Sequence, residues 1–282
     1  MEIQWHQYNV AGFNAIPMSL DLYAPKSDQA LAVVIYAHGI NGFKDWGGMD
    51  LIAEHFAQAG IAFLKFNFSH NGTTPARPEE FFDLEAYQED SYLKRQFDLK
   101  QILSFIENGH PEVQLDLNRI YLIGHSRGGA DAILLASQDA RIKKLITWAS
   151  TSHAQTPWKS LSFDELKDWK EKGLFTRKNS RTQQDLPISY SLYEEYQANK
   201  QLLNIEERAR EVKQDWLIIH GDEDEAVFIK EAYDLKSWNP EARVKVIEGT
   251  GHTFDRTHPW EAKELPTASL ELVQASLQFL LD

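Results

Sequence analysis

The stretch Arg119-Ile120-Tyr121-Leu122-Ile123-Gly124-His125-Ser126-Arg127-Gly128-Gly129-Ala130-Asp131-Ala132-Ile133-Leu134-Leu135 decides the architecture. Its first five residues form a short apolar run rich in β-branched and aromatic side chains, as expected of a strand covered on both faces. From Gly128 onward the pattern is helical. The bend between them, Gly124-His125-Ser126-Arg127-Gly128, sets a glycine two residues to either side of a serine. So short a strand–turn–helix connection forces its central residue into a strained conformation at the carboxyl edge of the sheet. A side chain at either glycine would collide with neighbouring backbone. The Ser126 hydroxyl is thereby pushed into the crevice above the sheet. The Arg127 N–H falls in the first turn of a helix, where unbonded donors and the macrodipole favour developing negative charge.

Outward from this bend the same alternation continues. Short strand-like runs occupy 31–37, 62–68, 144–149, 215–219 and 243–247, and two more at 3–10 and 16–23 flank a turn at 11–14 that predicts a hairpin. Helical periodicity predicts helices over 50–60, 86–108, 128–137, 228–237 and 267–281. The second of these places Leu93, Phe97, Ile102, Phe105 and Ile106 inward and stops at Gly109. Strands alternating with helices define a wound, mostly parallel α/β sheet. The rhythm breaks over 151–212, where charge density rises and aromatics scatter. That stretch is predicted to be an inserted cap or lid subdomain on a core of 1–150 and 213–282, because a structureless loop of this length does not suit a compact fold. Two strands around an Asn179-Ser180 turn are predicted within it. Its aromatics suit a small core of their own, with Trp158 the residue placed to reach a pocket wall.

Composition narrows the field. The chain has 282 residues, 43% hydrophobic and 25% charged, a globular balance that needs no disulfide staple. It has no cysteine, which excludes thiolate metal sites and cysteine nucleophiles. A net charge of −13 repels phosphate, so nucleic acid and anionic bilayers are not expected partners. The first residues lack a basic start and apolar core, and no window reaches the length of a membrane span, so no membrane insertion and a cytoplasmic location are expected. No His/Asp/Glu spacing fits a metal site.

Four segments together, Ala37-His38-Gly39-Ile40-Asn41-Gly42, Gly124-His125-Ser126-Arg127-Gly128, His220-Gly221-Asp222-Glu223-Asp224-Glu225-Ala226-Val227 and Gly251-His252-Thr253-Phe254, resemble the α/β-hydrolase superfamily. The chain is most similar to its esterase/lipase branch, with cinnamoyl (feruloyl) esterases, monoacylglycerol lipases and dienelactone-hydrolase-like proteins. The resemblance runs through almost the whole chain in order and spacing, 151–212 being its loosest part. It implies an eight-stranded, mostly parallel sheet with helices on both faces.

A serine is a poor nucleophile near neutral pH and needs an adjacent base, which points to histidine. Of ten histidines, His252 lies on the loop after the last predicted strand, behind two glycines that let the chain turn inward. His258, before a proline, reads as a surface residue, His125 as structural, and His38 and His220 as hydrogen-bonding loop backbone. The loop after 215–219 offers Asp222 and Asp224 as the acid. The resemblance selects Asp224, and the order Ser126, Asp224, His252 is that of the fold. It also implies the Ile40 N–H as the oxyanion donor paired with that of Arg127. His70, after the strand at 62–68, is a further candidate for substrate contact. The Arg127 side chain reads as an ordinary ion pair, and 79–90 as a solvated acidic loop.

The function expected from these residues is hydrolysis of a small-molecule carboxylic ester, with small or aromatic acyl groups, through an acyl-enzyme. No cofactor and no metal are implied. A peptidase, thioesterase or C–C bond hydrolase using the same three residues is the alternative within the fold, and a non-catalytic ligand-binding module lies outside it. Serine rather than aspartate at the bend argues against dehalogenase and epoxide hydrolase chemistry.

Overall fold

The computed structural model describes residues 2–109 and 112–282; His110 lies outside them. Its strands are β1 (Ile3–Ala11), β2 (Pro17–Pro25), β3 (Leu31–Ala37), β4 (Ala62–Phe66), β5 (Leu115–His125), β6 (Ile142–Trp148), β7 (Leu174–Lys178), β8 (Asp185–Ser189), β9 (Asp215–Gly221) and β10 (Arg243–Ile247). The helices are α1 (Met49–Gln58), α2 (Leu84–Gln88), α3 (Tyr92–Glu107), α4 (Arg127–Ala136), α5 (Phe163–Lys172), α6 (Ser191–Ala198), α7 (Ile205–Glu211), α8 (Lys230–Trp238) and α9 (Thr267–Leu281). Eight strands form one sheet in the order β1-β2-β4-β3-β5-β6-β9-β10. The pairs β1–β2 and β2–β4 are antiparallel and the rest parallel. This is the eight-stranded, mostly parallel α/β sheet that the sequence predicts.

The near-continuous apolarity of the inner strands follows from burial on both faces. Along β3, Val33, Ile35 and Ala37 join one core with α3, α4, α7 and α8. Val34 and Tyr36 join the other, with α1 and α9. The helix after β3 therefore packs on one face and the helix after its neighbour β5 on the opposite face. The chain leaves these adjacent strands in opposite directions, which opens a crevice at their carboxyl ends, the usual ligand position in an open α/β sheet.

Two local expectations need correction. The helix expected over 86–108 is two helices, because Ser91 caps α3, its Oγ accepting the Lys94 N–H at 3.4 Å, and so ends the run from α2. Gly109 (φ +74°) follows the end of α3 as predicted. Phe97 does not point inward; it is 40% exposed and meets Phe13 edge-on. Arg95 and Asp98 take the inner face of α3, where they are buried and hydrogen-bonded. A pattern that scores only apolar residues misreads the phase of such a helix.

Between β6 and β9 lie α5, the antiparallel β7–β8 hairpin, α6 and α7. Trp158, Trp169, Leu186, Ile188 and Leu192 form a third cluster there, together with Phe43, Phe81 and Tyr87 from the core loops. The segment 79–90 is thus partly buried rather than wholly solvated. Leu203, Ile205 and Ala209, at and just before α7, pack instead into the core beside α4 and α8. Among the described residues no helix is long and apolar enough to cross a membrane.

Candidate active site

Ser126 sits between β5 and α4 with φ +58° and ψ −125°, a region that non-glycine residues rarely occupy. The fold over-determines this conformation. Ser126 N–H bonds the Trp148 carbonyl at 2.9 Å, and its own carbonyl accepts from Gly129 (2.9 Å) and Thr151 (3.3 Å). A Cβ on Gly128 would lie 2.2 Å from the Ala37 carbonyl oxygen, and one on Gly124 2.2 Å from that of Gly128. The glycines on either side are the only residues that fit.

The strands bring four loops to one edge. Register pairs Ala37 with Gly124, His125 with Trp148, and Ile247 with Gly221, so the loops after β3, β5, β9 and β10 leave side by side. They are cross-tied: Glu223 N–H bonds the Thr250 carbonyl at 3.0 Å, and Asp222 Oδ1 accepts the Gly249 N–H at 2.7 Å. Asp222 is thereby a turn residue. Asp224, two residues on, is buried and turns inward. Its Oδ1 accepts the N–H groups of Ala226 and Val227, both at 2.8 Å, and its Oδ2 lies 2.7 Å from His252 Nδ1.

Burial alone would raise the Asp224 carboxyl. The His220 and His252 rings and the Val227 N–H outweigh it and hold the group well below the usual carboxylate range. The carboxylate accepts, so His252 Nδ1 carries the hydrogen, and in the neutral ring this tautomer puts the lone pair on Nε2. His125 Nε2 donates to the His252 carbonyl at 2.9 Å, and its ring lies 4.8 Å from that of His252. Burial, then the His252 charge, push His125 down to about 3, so it stays neutral.

Ser126 and His252 line one cavity of about 1100 Å³, together with His38, Gly39 and Ile40 from the loop after β3. Among the described residues the Ser126 hydroxyl makes no hydrogen bond, and no backbone hydrogen bond uses the N–H of Ile40 or Arg127. Gly39 presses against Ser126, where an added Cβ would meet Ser126 Cβ at 2.9 Å. His38 Nδ1 donates to the Gly39 carbonyl at 2.9 Å, and His220 Nε2 to that of Val227 at 2.8 Å. Both histidines serve backbone, as the sequence suggests.

The two expected pocket residues lie elsewhere. Neither Trp158 nor His70 is part of the cavity wall. Trp158 is buried against Trp169, Tyr193 and Tyr196, in the small aromatic core of 151–212. His70 Nδ1 lies 2.7 Å from Ser69 Oγ, which also bonds Asp98. The Arg127 guanidinium is buried and pairs with Asp90 at 2.8 Å. His258 is the reverse case: it lines the cavity, accepts the Gly47 N–H at 3.2 Å and packs against Phe43 and Trp46. Phe43, Trp46, Arg181 and Arg256 also line it and were not singled out in the sequence. The signal was proximity: Phe43 and Trp46 follow His38-Gly39 closely, and Arg256 follows His252. Asp21, Asp45 and Asp50 approach one another, but the Lys65 ammonium lies among them, 2.9 Å from Asp21 and 2.6 Å from Asp50.

An eight-stranded sheet with a strained serine at a strand–helix bend, and a carboxylate–imidazole pair on the loops after β9 and β10, is the architecture of the α/β hydrolases. The chain belongs to the BD-FAE family, which matches residues 20–238. Among solved structures, Est1E from Butyrivibrio proteoclasticus superposes with a TM-score of 0.71 at 18% identity, covering 98% of this chain and 97% of that one. A ferulic acid-bound form of Est1E gives 0.72 at 19% identity, over 96% and 97%. Dienelactone hydrolase from Anabaena variabilis gives 0.65 at 16%, over 100% and 98%. At these identities the likeness defines the fold. The quorum-quenching protein AidA of Acinetobacter baumannii is 25% identical over 134 residues, which span 48% of this chain and 40% of that protein.

Proposed function

We propose that the protein is a serine carboxylic-ester hydrolase acting on small-molecule esters with small or aromatic acyl groups. The observation that carries this reading is the Asp224–His252 bond, which leaves the imidazole lone pair in the cavity that holds the strained Ser126. In the reaction, His252 Nε2 takes the Ser126 proton as Oγ attacks the ester carbonyl carbon. The carbonyl oxygen gains negative charge, held by the N–H groups of Ile40 and Arg127. One such donor is typically worth about 2.7–4 kcal/mol. His252 then returns the proton to the departing alkoxide, leaving an acyl-serine and a free alcohol. A water, deprotonated by His252, attacks the acyl carbon, and Ser126 leaves with that proton to regenerate the enzyme. Asp224 holds the ring in the required tautomer and balances the imidazolium in both halves. No step needs a cofactor or a metal. Residues 151–212 act as a cap over the cavity, contributing Thr156, Pro157 and the tip of the β7–β8 hairpin to its wall.

A fluorophosphonate probe tests this reading. It should label Ser126 and no other residue, and Ser126→Ala should abolish both labelling and p-nitrophenyl ester hydrolysis. An unlabelled, inactive but folded protein would make the fold a ligand-binding module instead.

A further inference from the structure

The cavity wall has a charge opposite to that of the molecule. The chain carries a net −13. Yet the wall presents Lys159, Arg177, Lys178, Arg181 and Arg256 against one carboxylate, Glu231. That carboxylate is already engaged: Glu231 accepts the Ser152 N–H at 2.6 Å and sits 3.4 Å from both His153 and Lys159. Among the described residues, Arg177, Lys178, Arg181 and Arg256 form no ion pair with any carboxylate.

Arg256 is the decisive member. It is 2% exposed, yet it lines the cavity. Its Nε donates to the Thr253 carbonyl at 3.2 Å and its Nη1 to the Gly47 carbonyl at 3.5 Å, contacts with neutral acceptors. Burial lowers its pKa, which is the mark of a desolvated cation lacking a counter-charge. Buried charges are otherwise paired. The Arg256 guanidinium lies 5.9 Å from the Trp46 ring, and the Arg181 guanidinium, from the cap hairpin, 5.4 Å from the Phe43 ring. His258 joins the two rings, edge-on to Phe43 at 4.9 Å and stacked near Trp46 at 6.2 Å. Glu79, whose field reaches Arg181, sits against His258 instead, at 3.6 Å. The result is an aromatic shelf with a guanidinium at each end, in the same cavity as Ser126 and His252.

We propose that the substrate carries a carboxylate on the part distal to the scissile ester, its apolar segment lying on His258 and Trp46 and its charge favoured by the cationic wall to which Arg181 and Arg256 contribute. This rests on the esterase reading of Ser126. Guanidinium forks match a carboxylate in geometry as well as charge, and the low-dielectric wall strengthens the contact.

The test compares mono-p-nitrophenyl adipate with p-nitrophenyl hexanoate, esters alike in leaving group and chain and different in the terminal charge. The protein should prefer the adipate in kcat/KM by about tenfold or more, mostly through KM. Arg181→Gln and Arg256→Gln should each lower the adipate-to-hexanoate ratio severalfold. Lys167→Gln, a charge change on an exposed face of α5, should leave the ratio as it was. If Arg256→Gln fails to fold, Arg181→Gln on the exposed hairpin carries the comparison. A ratio near one in the unaltered protein, or a ratio that Arg181→Gln leaves in place, overturns the proposal. Should neither ester be hydrolysed, the esterase reading fails and the anion site is read by calorimetry. Binding of phenylhexanoate but not phenylhexanol, lost in Arg181→Gln, then supports it; equal binding of the two, or none, overturns it.

Discussion

Asp224 Oδ2 and His252 Nδ1 are 2.7 Å apart although 28 residues separate them in the chain. Parallel pairing of β9 with β10 brings their loops to the same edge, and the Asp222–Gly249 bond fastens the loops together. The two acids of this loop therefore have different duties. Asp224→Asn should reduce kcat on p-nitrophenyl acetate by on the order of 10⁴-fold, because the amide stabilises the wrong imidazole tautomer and removes the charge opposite the imidazolium. Asp222→Asn should act through stability, by about 1 kcal/mol, with kcat little changed. Equal kinetic losses in the two variants would move the acid role away from Asp224.

The backbone at Ser126 predicts an inverted stability ranking of two substitutions. With φ at +58° and ψ at −125°, any side chain there is strained, whereas glycine is not. Ser126→Gly should be more stable than Ser126→Ala by about 1–3 kcal/mol in denaturant unfolding. A more stable alanine variant would mean that the bend is unstrained. Gly128→Ala is the counterpart: a methyl placed 2.2 Å from the Ala37 carbonyl oxygen should cost more than about 4 kcal/mol or prevent folding.

What could be read in advance, and what could not, follows from range. The bend at Gly124–Gly128 is legible because its local sequence shows which residues lack a Cβ, although the groups that a Cβ on Gly128 would strike, the carbonyls of Ala37 and His38, are distant in the chain. The strands are legible because burial on both faces leaves them apolar throughout. Arg95 and Asp98 on the inner face of α3 were illegible. Their partners are the His38 carbonyl and the Ser69 hydroxyl and N–H, which lie on other strands' loops. Trp158 and His258 exchanged expected places for the same reason. A tryptophan in a charged stretch and a histidine before proline carry no local mark of what they face, and only the packing of α5, α6 and the loop after β3 decides it.

Glu231 gives a pH dependence with a definite sign. Burial alone would raise its carboxyl, but the His153 ring, the Ser152 N–H and the Lys159 charge outweigh it and bring the pKa from 4.5 to about 2. The unfolded chain therefore binds more protons across that window, so stability rises with pH there. The contribution is complete above 4.5 and is lost as the pH falls toward 2. Glu231→Gln should lower the melting temperature near neutral pH, and the gap from the unaltered protein should close progressively on acidification through the carboxylate range. A gap independent of pH would mean that Glu231 acts by packing alone.

The pair of Arg127 and Asp90 tests what a buried charge does when its partner is removed. The Arg127 side chain is 1% exposed and that of Asp90 11%, at 2.8 Å, and the guanidinium lies 4.4 Å from the Tyr92 ring. Two of its nitrogens, Nε and Nη2, have no acceptor among the described residues, so the pair is imperfectly satisfied. Taking two charges out of water costs several kcal/mol that the attraction only partly offsets, so the pair is not itself a large stabiliser. Removing Arg127 is different, because it leaves Asp90 with only the longer contact to the Arg95 guanidinium, at 3.8 Å. Arg127→Met should destabilise by about 3–5 kcal/mol in urea unfolding, and adding Asp90→Asn should recover much of that loss. The Lys172–Asp168 pair on the outside of α5, with side chains 66% and 56% exposed, should give a coupling near zero in the same cycle. If the Arg127–Asp90 cycle were equally flat, the guanidinium would be held by its packing on Tyr92 and not by the carboxylate.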